Sequence, residues 1–120
     1  MIATPPLVVV IEDDSATLKA LGRVLRTGGF EALPYRSAEE FLASPPTRPP
    51  ACLLLDIHLA GMSGLDLQRE LKARGSTIPV IVMTAFDEDR VRDEARRIGC
   101  VGYLDKVDDI DGLLDLIKTF

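Results

Sequence analysis

Acidic residues that directly follow apolar runs are the first feature of the sequence that suggests chemistry. Glu12, Asp13 and Asp14 follow the run LVVVI, and Asp56 follows the run ACLLL. Clustered carboxylates repel one another unless a cation joins them, and a ligand set made only of oxygen atoms suits a hard divalent ion such as Mg²⁺. An aspartate can also attack phosphorus as a nucleophile and give an acyl phosphate. Brought together, these residues would suit magnesium-assisted phosphoryl transfer.

A hydroxyl and an ammonium group follow two later apolar runs. Thr84 comes directly after IPVIVM, and Lys106 lies just beyond CVGYL. Such groups could neutralise charge on a phosphoryl group during its transfer. The loop after Asp56 could supply a backbone carbonyl as a further metal ligand, and we expect that carbonyl to be the one of His58.

Five short apolar runs predict the strands that would position these groups, at residues 7–11, 30–35, 51–55, 78–83 and 100–104. The first, third and fourth are almost continuously apolar, which is typical of parallel strands covered on both faces. The second alternates and contains Pro34, which favours a place at the edge of the sheet.

Helical patterns separate the apolar runs. Asp14 is expected to begin the first helix, and Ser37 to cap the second, with Glu40 three residues further on. Strict alternation of strands and helices predicts an α/β, doubly wound parallel sheet with right-handed crossovers and helices on both faces. Because the carboxyl ends of parallel strands meet at one edge, we expect the polar groups in one pocket there, with Asp56 presented to a ligand rather than buried.

Length, charge and composition limit the classes of protein to which the chain can belong. The chain has 120 residues, which predicts a single domain over 1–120, and its formal net charge is −5. An acidic domain is ill suited to grip nucleic acid or an anionic membrane, and no apolar run approaches the roughly 18–20 residues of a membrane span. The start of the chain lacks the pattern of a signal peptide. Cys52 and Cys100 are predicted to be small buried hydrophobic residues, and the chain a soluble cytoplasmic domain.

Four motifs in order give the sequence a family resemblance. The segments VVIEDD, LLLDIHLAGMSG, IVMTA and GYLDK resemble the acidic, phospho-acceptor, Thr/Ser and Lys motifs of the response-regulator receiver domains of two-component phosphorelays. The resemblance covers essentially the whole chain. It implies a flavodoxin-like fold of five parallel strands in the order 2-1-3-4-5. The segment SAEEFL also resembles the branch of receivers that often precedes a LuxR-type DNA-binding domain.

The resemblance implies roles for the residues at the first and third strand ends. Glu12 and Asp13 would hold Mg²⁺ together with Asp56 and the backbone carbonyl of His58. Asp56 would be the phospho-acceptor, receiving its phosphoryl group from a histidine kinase or phosphotransfer protein. Such a domain promotes its own phosphorylation and dephosphorylation and is not a turnover enzyme.

The resemblance also implies a switch. Thr84 and Lys106 would contact the phosphoryl oxygens, and Tyr103 would reorient when Thr84 moves. The surface of the fourth helix, fifth strand and fifth helix would then change and control an output partner, either a second copy in a phosphorylation-dependent homodimer or a C-terminal output domain.

Two other functions remain open on the sequence. The first is a receiver-like binding module that regulates by contact without being phosphorylated. The second is an aspartyl-phosphate enzyme of the haloacid-dehalogenase type, which is disfavoured because it needs a longer chain and a second acid where this sequence has His58. At single positions, Tyr103 could be ordinary strand packing, and His58 is expected to be an exposed loop residue rather than a general base.

One position departs from the family pattern. Val107 follows Lys106, where receivers usually have a proline in a cis peptide bond. A cis bond before a residue other than proline costs about 2.5–4 kcal/mol, so we expect a trans Lys106–Val107 bond and a reshaped loop.

Overall fold

A five-stranded parallel sheet lies at the centre of the fold in the computed structural model, which describes residues 4–85, 88–105 and 112–118. The strands are β1 (Leu7–Ile11), β2 (Glu31–Tyr35), β3 (Cys52–Asp56), β4 (Val80–Thr84) and β5 (Gly102–Asp105). The helices are α1 (Ser15–Thr27), α2 (Ala38–Ala43), α3 (Gly64–Ala73), α4 (Asp89–Ile98) and α5 (Leu113–Ile117). The strand order is β2-β1-β3-β4-β5, with all neighbours parallel. The predicted fold class is confirmed.

Alternate residues of the strands build an apolar layer on each face of the sheet. Phe41, Leu67 and Ala95 bring helices α2, α3 and α4 against one face, around Leu53 and Leu55. On the other face α1 and α5 cover a second cluster, whose members include Val8, Leu21, Leu25, Leu54, Ile81, Leu113 and Ile117. All residues of β1, β3 and β4 are buried, as their continuous apolar runs predicted.

The hydrogen bonds of β2 explain how a strand can contain Pro34. The Glu31 amide donates to the Pro6 carbonyl, and the Tyr35 carbonyl accepts from the Glu12 amide. Residues 31, 33 and 35 therefore face β1, and Pro34 lies on the open edge, where its missing N–H breaks no bond of the sheet. The predicted edge position of β2 is confirmed.

Several predicted boundaries shift by one or two residues. β3 includes Asp56 as its last residue, β4 begins at Val80 rather than at residue 78, and β5 begins at Gly102 rather than at residue 100. Parallel neighbours explain the first shift, because Asp56 pairs in register with Met83 of β4.

The helix starts follow the predicted capping chemistry. The Asp14 carboxylate accepts from the Thr17 amide at 2.9 Å, and the Ser37 hydroxyl accepts from the Glu40 amide at 3.0 Å. Among the described residues, no helix combines the length and apolar character needed to cross a bilayer. Cys52 is buried, Cys100 is half-buried, and both are free thiols.

Candidate metal and phospho-acceptor site

The first part of the site is the turn between β1 and α1. Glu12 follows β1 directly, and its backbone amide continues the sheet by donating to the Tyr35 carbonyl at 3.0 Å. This bond fixes Glu12 at the sheet edge with its side chain fully buried, whereas Asp13 is exposed. Asp14 is engaged as the N-cap of α1 and so is set apart from its two acidic neighbours.

The second part of the site is the end of β3. Asp56 is only 2% exposed, so the expectation that it is not buried is wrong. Two structural causes enclose it: β4 runs alongside it in register, and the following loop folds back, with the His58 amide donating to Asp56 Oδ1 at 3.0 Å. His58 itself is exposed, as predicted.

The two turns bring three carboxylates together. One oxygen from each of Glu12, Asp13 and Asp56 lies within 4.8 Å of the others. Oxygen ligands of an octahedral Mg²⁺ stand about 3 to 4.2 Å apart, from a metal–oxygen distance of about 2.1 Å, so the three carboxylates lie close to that spacing and supply the donor atoms that the ion prefers. The Ala60 amide donates to Asp13 Oδ2 at 3.3 Å and links the two turns directly.

The hydroxyl and aromatic residues predicted for the site lie on the next two strands. Thr84 is the last residue of β4 and is fully buried. On β5, Tyr103 is partly exposed while its phenolic oxygen is buried. Lys106 and Val107, and with them the predicted trans peptide bond, lie outside the described residues.

Two residues that support the site were missed by sequence reasoning. Gly64 begins α3 and is buried against the backbone of Asp56 and Ile57. From α2, Glu39 reaches the loop after β3, where its carboxylate accepts from the Met62 amide at 3.3 Å. Ser63-Gly64 followed by Asp66 is typical of a helix start and could have placed Gly64 at the beginning of α3. No local signal in the sequence links Glu39 to the loop after β3.

Comparison with known proteins agrees with this geometry. The family model described as "Response regulator receiver domain" matches residues 8–118. The chain belongs to this family. It is 35% identical over 115 residues to Nodulation protein W of Bradyrhizobium diazoefficiens, an alignment that covers 96% of this chain and 51% of the relative. It is 32% identical to the transcriptional regulatory protein FixJ of Azorhizobium caulinodans, over 92% of this chain and 52% of the relative.

A solved structure supports the same assignment. The crystal structure of a response regulator receiver protein from Pseudomonas putida superposes with a TM-score of 0.87 at 27% identity, and the alignment covers 99% of this chain and 100% of the other. This receiver-domain chain spans about half the length of the curated relatives named above.

Proposed function

We propose that this receiver domain is a phospho-acceptor whose acceptor residue is Asp56. The observation that carries the proposal is the meeting of Glu12, Asp13 and Asp56 oxygens within 4.8 Å at the carboxyl edge of the sheet. These three carboxylates, with the backbone carbonyl of His58, would hold Mg²⁺. The bound ion would neutralise negative charge on the phosphoryl oxygens.

The phosphoryl donor is a phosphohistidine of a histidine kinase or phosphotransfer protein. An oxygen of the Asp56 carboxylate attacks phosphorus, the phosphorus–nitrogen bond breaks, and the imidazole nitrogen keeps the electron pair of that bond. Thr84 and Lys106 contact the phosphoryl oxygens. Burial of Asp56 supports this assignment, because a carboxylate shielded from bulk water exchanges hydration for fixed protein dipoles such as the His58 amide.

Phosphorylation acts by shifting a conformational equilibrium. Thr84 moves toward the phosphoryl group, Tyr103 takes the inward orientation, and the surface of α4, β5 and α5 changes. The partner at this surface is a second copy of the chain or a C-terminal output domain. The description of FixJ as a transcriptional regulatory protein supports an output in gene control.

Intact-mass measurement after incubation with acetyl phosphate and Mg²⁺ tests the proposal. The wild-type protein should gain one phosphate adduct, and Asp56→Asn should gain none. Asp66→Asn is the matched control, because Asp66 is an exposed acid on α3 that contacts Arg69 and lies outside the carboxylate cluster. It should be phosphorylated like the wild type.

The metal requirement is tested in the same assay. Asp13→Ala should need a markedly higher Mg²⁺ concentration, and a chelator should abolish the wild-type adduct. An adduct retained in Asp56→Asn would reject the acceptor assignment. A wild-type protein that gains no adduct would favour regulation by contact alone.

A further inference from the structure

Tyr103 lies where α4 meets the edge of the sheet. It belongs to β5, the last strand in the order, and packs beside the apolar layer under α2, α3 and α4. Its ring is partly exposed, but its phenolic oxygen is buried. The hydroxyl end of the ring therefore points inward.

Arg92 of α4 lies over this ring. Its guanidinium carbon is 5.1 Å from the centre of the Tyr103 ring, within the range of a cation–π interaction. A guanidinium group is planar and weakly hydrated, so it can stack on an aromatic face while part of it stays in water. Arg92 is itself half-buried, unlike Arg90, Arg96 and Arg97 of the same helix.

The helix that carries Arg92 is anchored to its neighbour. Ala95, one turn further along α4, is fully buried, and its carbonyl accepts from the buried Gln68 amide of α3 at 2.9 Å. A second link joins Arg69 to Glu94 at 3.0 Å. Because these two contacts hold α4 against α3, the backbone that carries Arg92 has a defined position beside Tyr103.

We propose that Arg92 is a positioning residue that holds the Tyr103 ring inward before phosphorylation. The consequence for signalling rests on the proposed function: the unphosphorylated domain would already favour the orientation that phosphate selects. The contact also places the control of Tyr103 on the surface of α4. An acidic group of a partner that drew Arg92 away would release the ring.

The strength of an exposed cation–π contact sets how far Arg92 shifts the Tyr103 ring toward the inward orientation. Loss of the contact should raise the ratio of outward to inward Tyr103 by about two- to five-fold. The chain has two tyrosines and no tryptophan, so incorporation of 3-fluorotyrosine gives two ¹⁹F resonances. Tyr35, which is buried and donates its hydroxyl to the Ser44 carbonyl, serves as the internal reference.

The experiment compares Arg92→Met, Arg92→Lys and Arg90→Met by ¹⁹F NMR without phosphate. Arg92→Met keeps an unbranched apolar side chain and removes the charge. The Tyr103 signal should therefore shift toward the outward position, with the outward-to-inward ratio raised about two- to five-fold. Arg92→Lys should lie between it and the wild type. Arg90→Met makes the same charge change at an exposed site of the helix and should leave the signal unchanged. An unchanged signal in Arg92→Met, or an equal shift in Arg90→Met, would overturn the proposal.

Binding of the phosphate mimic beryllofluoride, with Mg²⁺, separates this proposal from the function it rests on. If the ring position is coupled to the site, Arg92→Met should bind the mimic more weakly, by at most about two- to five-fold and by less the more the wild-type ring already favours the inward orientation. A ¹⁹F shift with unchanged affinity would confirm the positioning role and reject the coupling to the site. A wild-type protein that fails to bind the mimic would reject the proposed function while the ¹⁹F comparison still decides the role of Arg92.

Discussion

Replacement of Gly64 by alanine should lower the stability of the fold and disturb the proposed acceptor site. Gly64 is the first residue of α3, and its amide donates to the Ile57 carbonyl at 3.0 Å. A Cβ atom there would lie 2.7 Å from the Ile57 Cα, whereas ordinary van der Waals contact begins at 3.4 Å. It would lie closer still to the Asp56 carbonyl oxygen. Both obstacles are backbone atoms, so no change of rotamer can relieve the clash.

The expected cost combines two opposing effects. Overpacking that forces the backbone to move costs about 1–3 kcal/mol. Alanine gains at most about 1 kcal/mol over glycine in a helix, and less in its first turn. We therefore expect Gly64→Ala to lower the free energy of unfolding by about 1–2 kcal/mol. Because the displaced atoms belong to Asp56 and its successor, phosphorylation should slow as well.

Gly22→Ala is the matched control, since it is the same chemical change inside α1. There the nearest atom to a new Cβ is the Arg26 guanidinium Nη1 at 3.0 Å, the far end of a flexible side chain that can move aside. The gain in helix propensity should then prevail and stabilise the protein by up to about 1 kcal/mol. Urea unfolding followed by circular dichroism measures both variants. A Gly64→Ala protein at least as stable as the wild type would refute the reasoning.

Three further results are expected. Burial raises the pKa of the Cys52 thiol from 9.0 to about 11. The stability that its neutral form contributes is therefore fully present below pH 9 and is lost as the pH rises toward 11. In urea unfolding between these pH values, Cys52→Ala should lose less stability with rising pH than the wild type does. Burial also raises the pKa of Cys100, which is half-buried, so a thiol reagent at neutral pH should label the native protein slowly and reach Cys100 before Cys52. Ser37→Ala removes the hydrogen bond to the Glu40 amide and should lower the free energy of unfolding by about 1 kcal/mol, measured by thermal unfolding. Arg69→Ala breaks half-exposed ion pairs and should lower it by at most about 1 kcal/mol.

The sheet could be predicted because its signals are local. Continuous apolar runs mark β1, β3 and β4, and the alternating pattern with Pro34 assigns β2 to an edge. The same runs mark where each strand ends, and the shared edge of parallel strands then brings Glu12, Asp13 and Asp56 together without any knowledge of tertiary contacts. The shifted boundaries at Asp56 and Val80 arise from pairing between strands, which no single run contains.

The support around the carboxylates could not be predicted in the same way, because it depends on contacts between elements that are distant in sequence. The burial of Asp56 comes from β4 and from a loop that folds back, and the run LLLD contains neither. Arg92 is one of several charged residues on α4, and only the packing of α4 against β5 distinguishes it. The strand ends thus supply the carboxylates of the proposed site, while residues on α2, α3 and α4 contact the loop after β3 and the Tyr103 ring. Substitutions of Glu39 or Arg92 should alter how readily the domain switches, whereas Gly64→Ala also displaces the backbone of Asp56 and should slow its proposed phosphorylation.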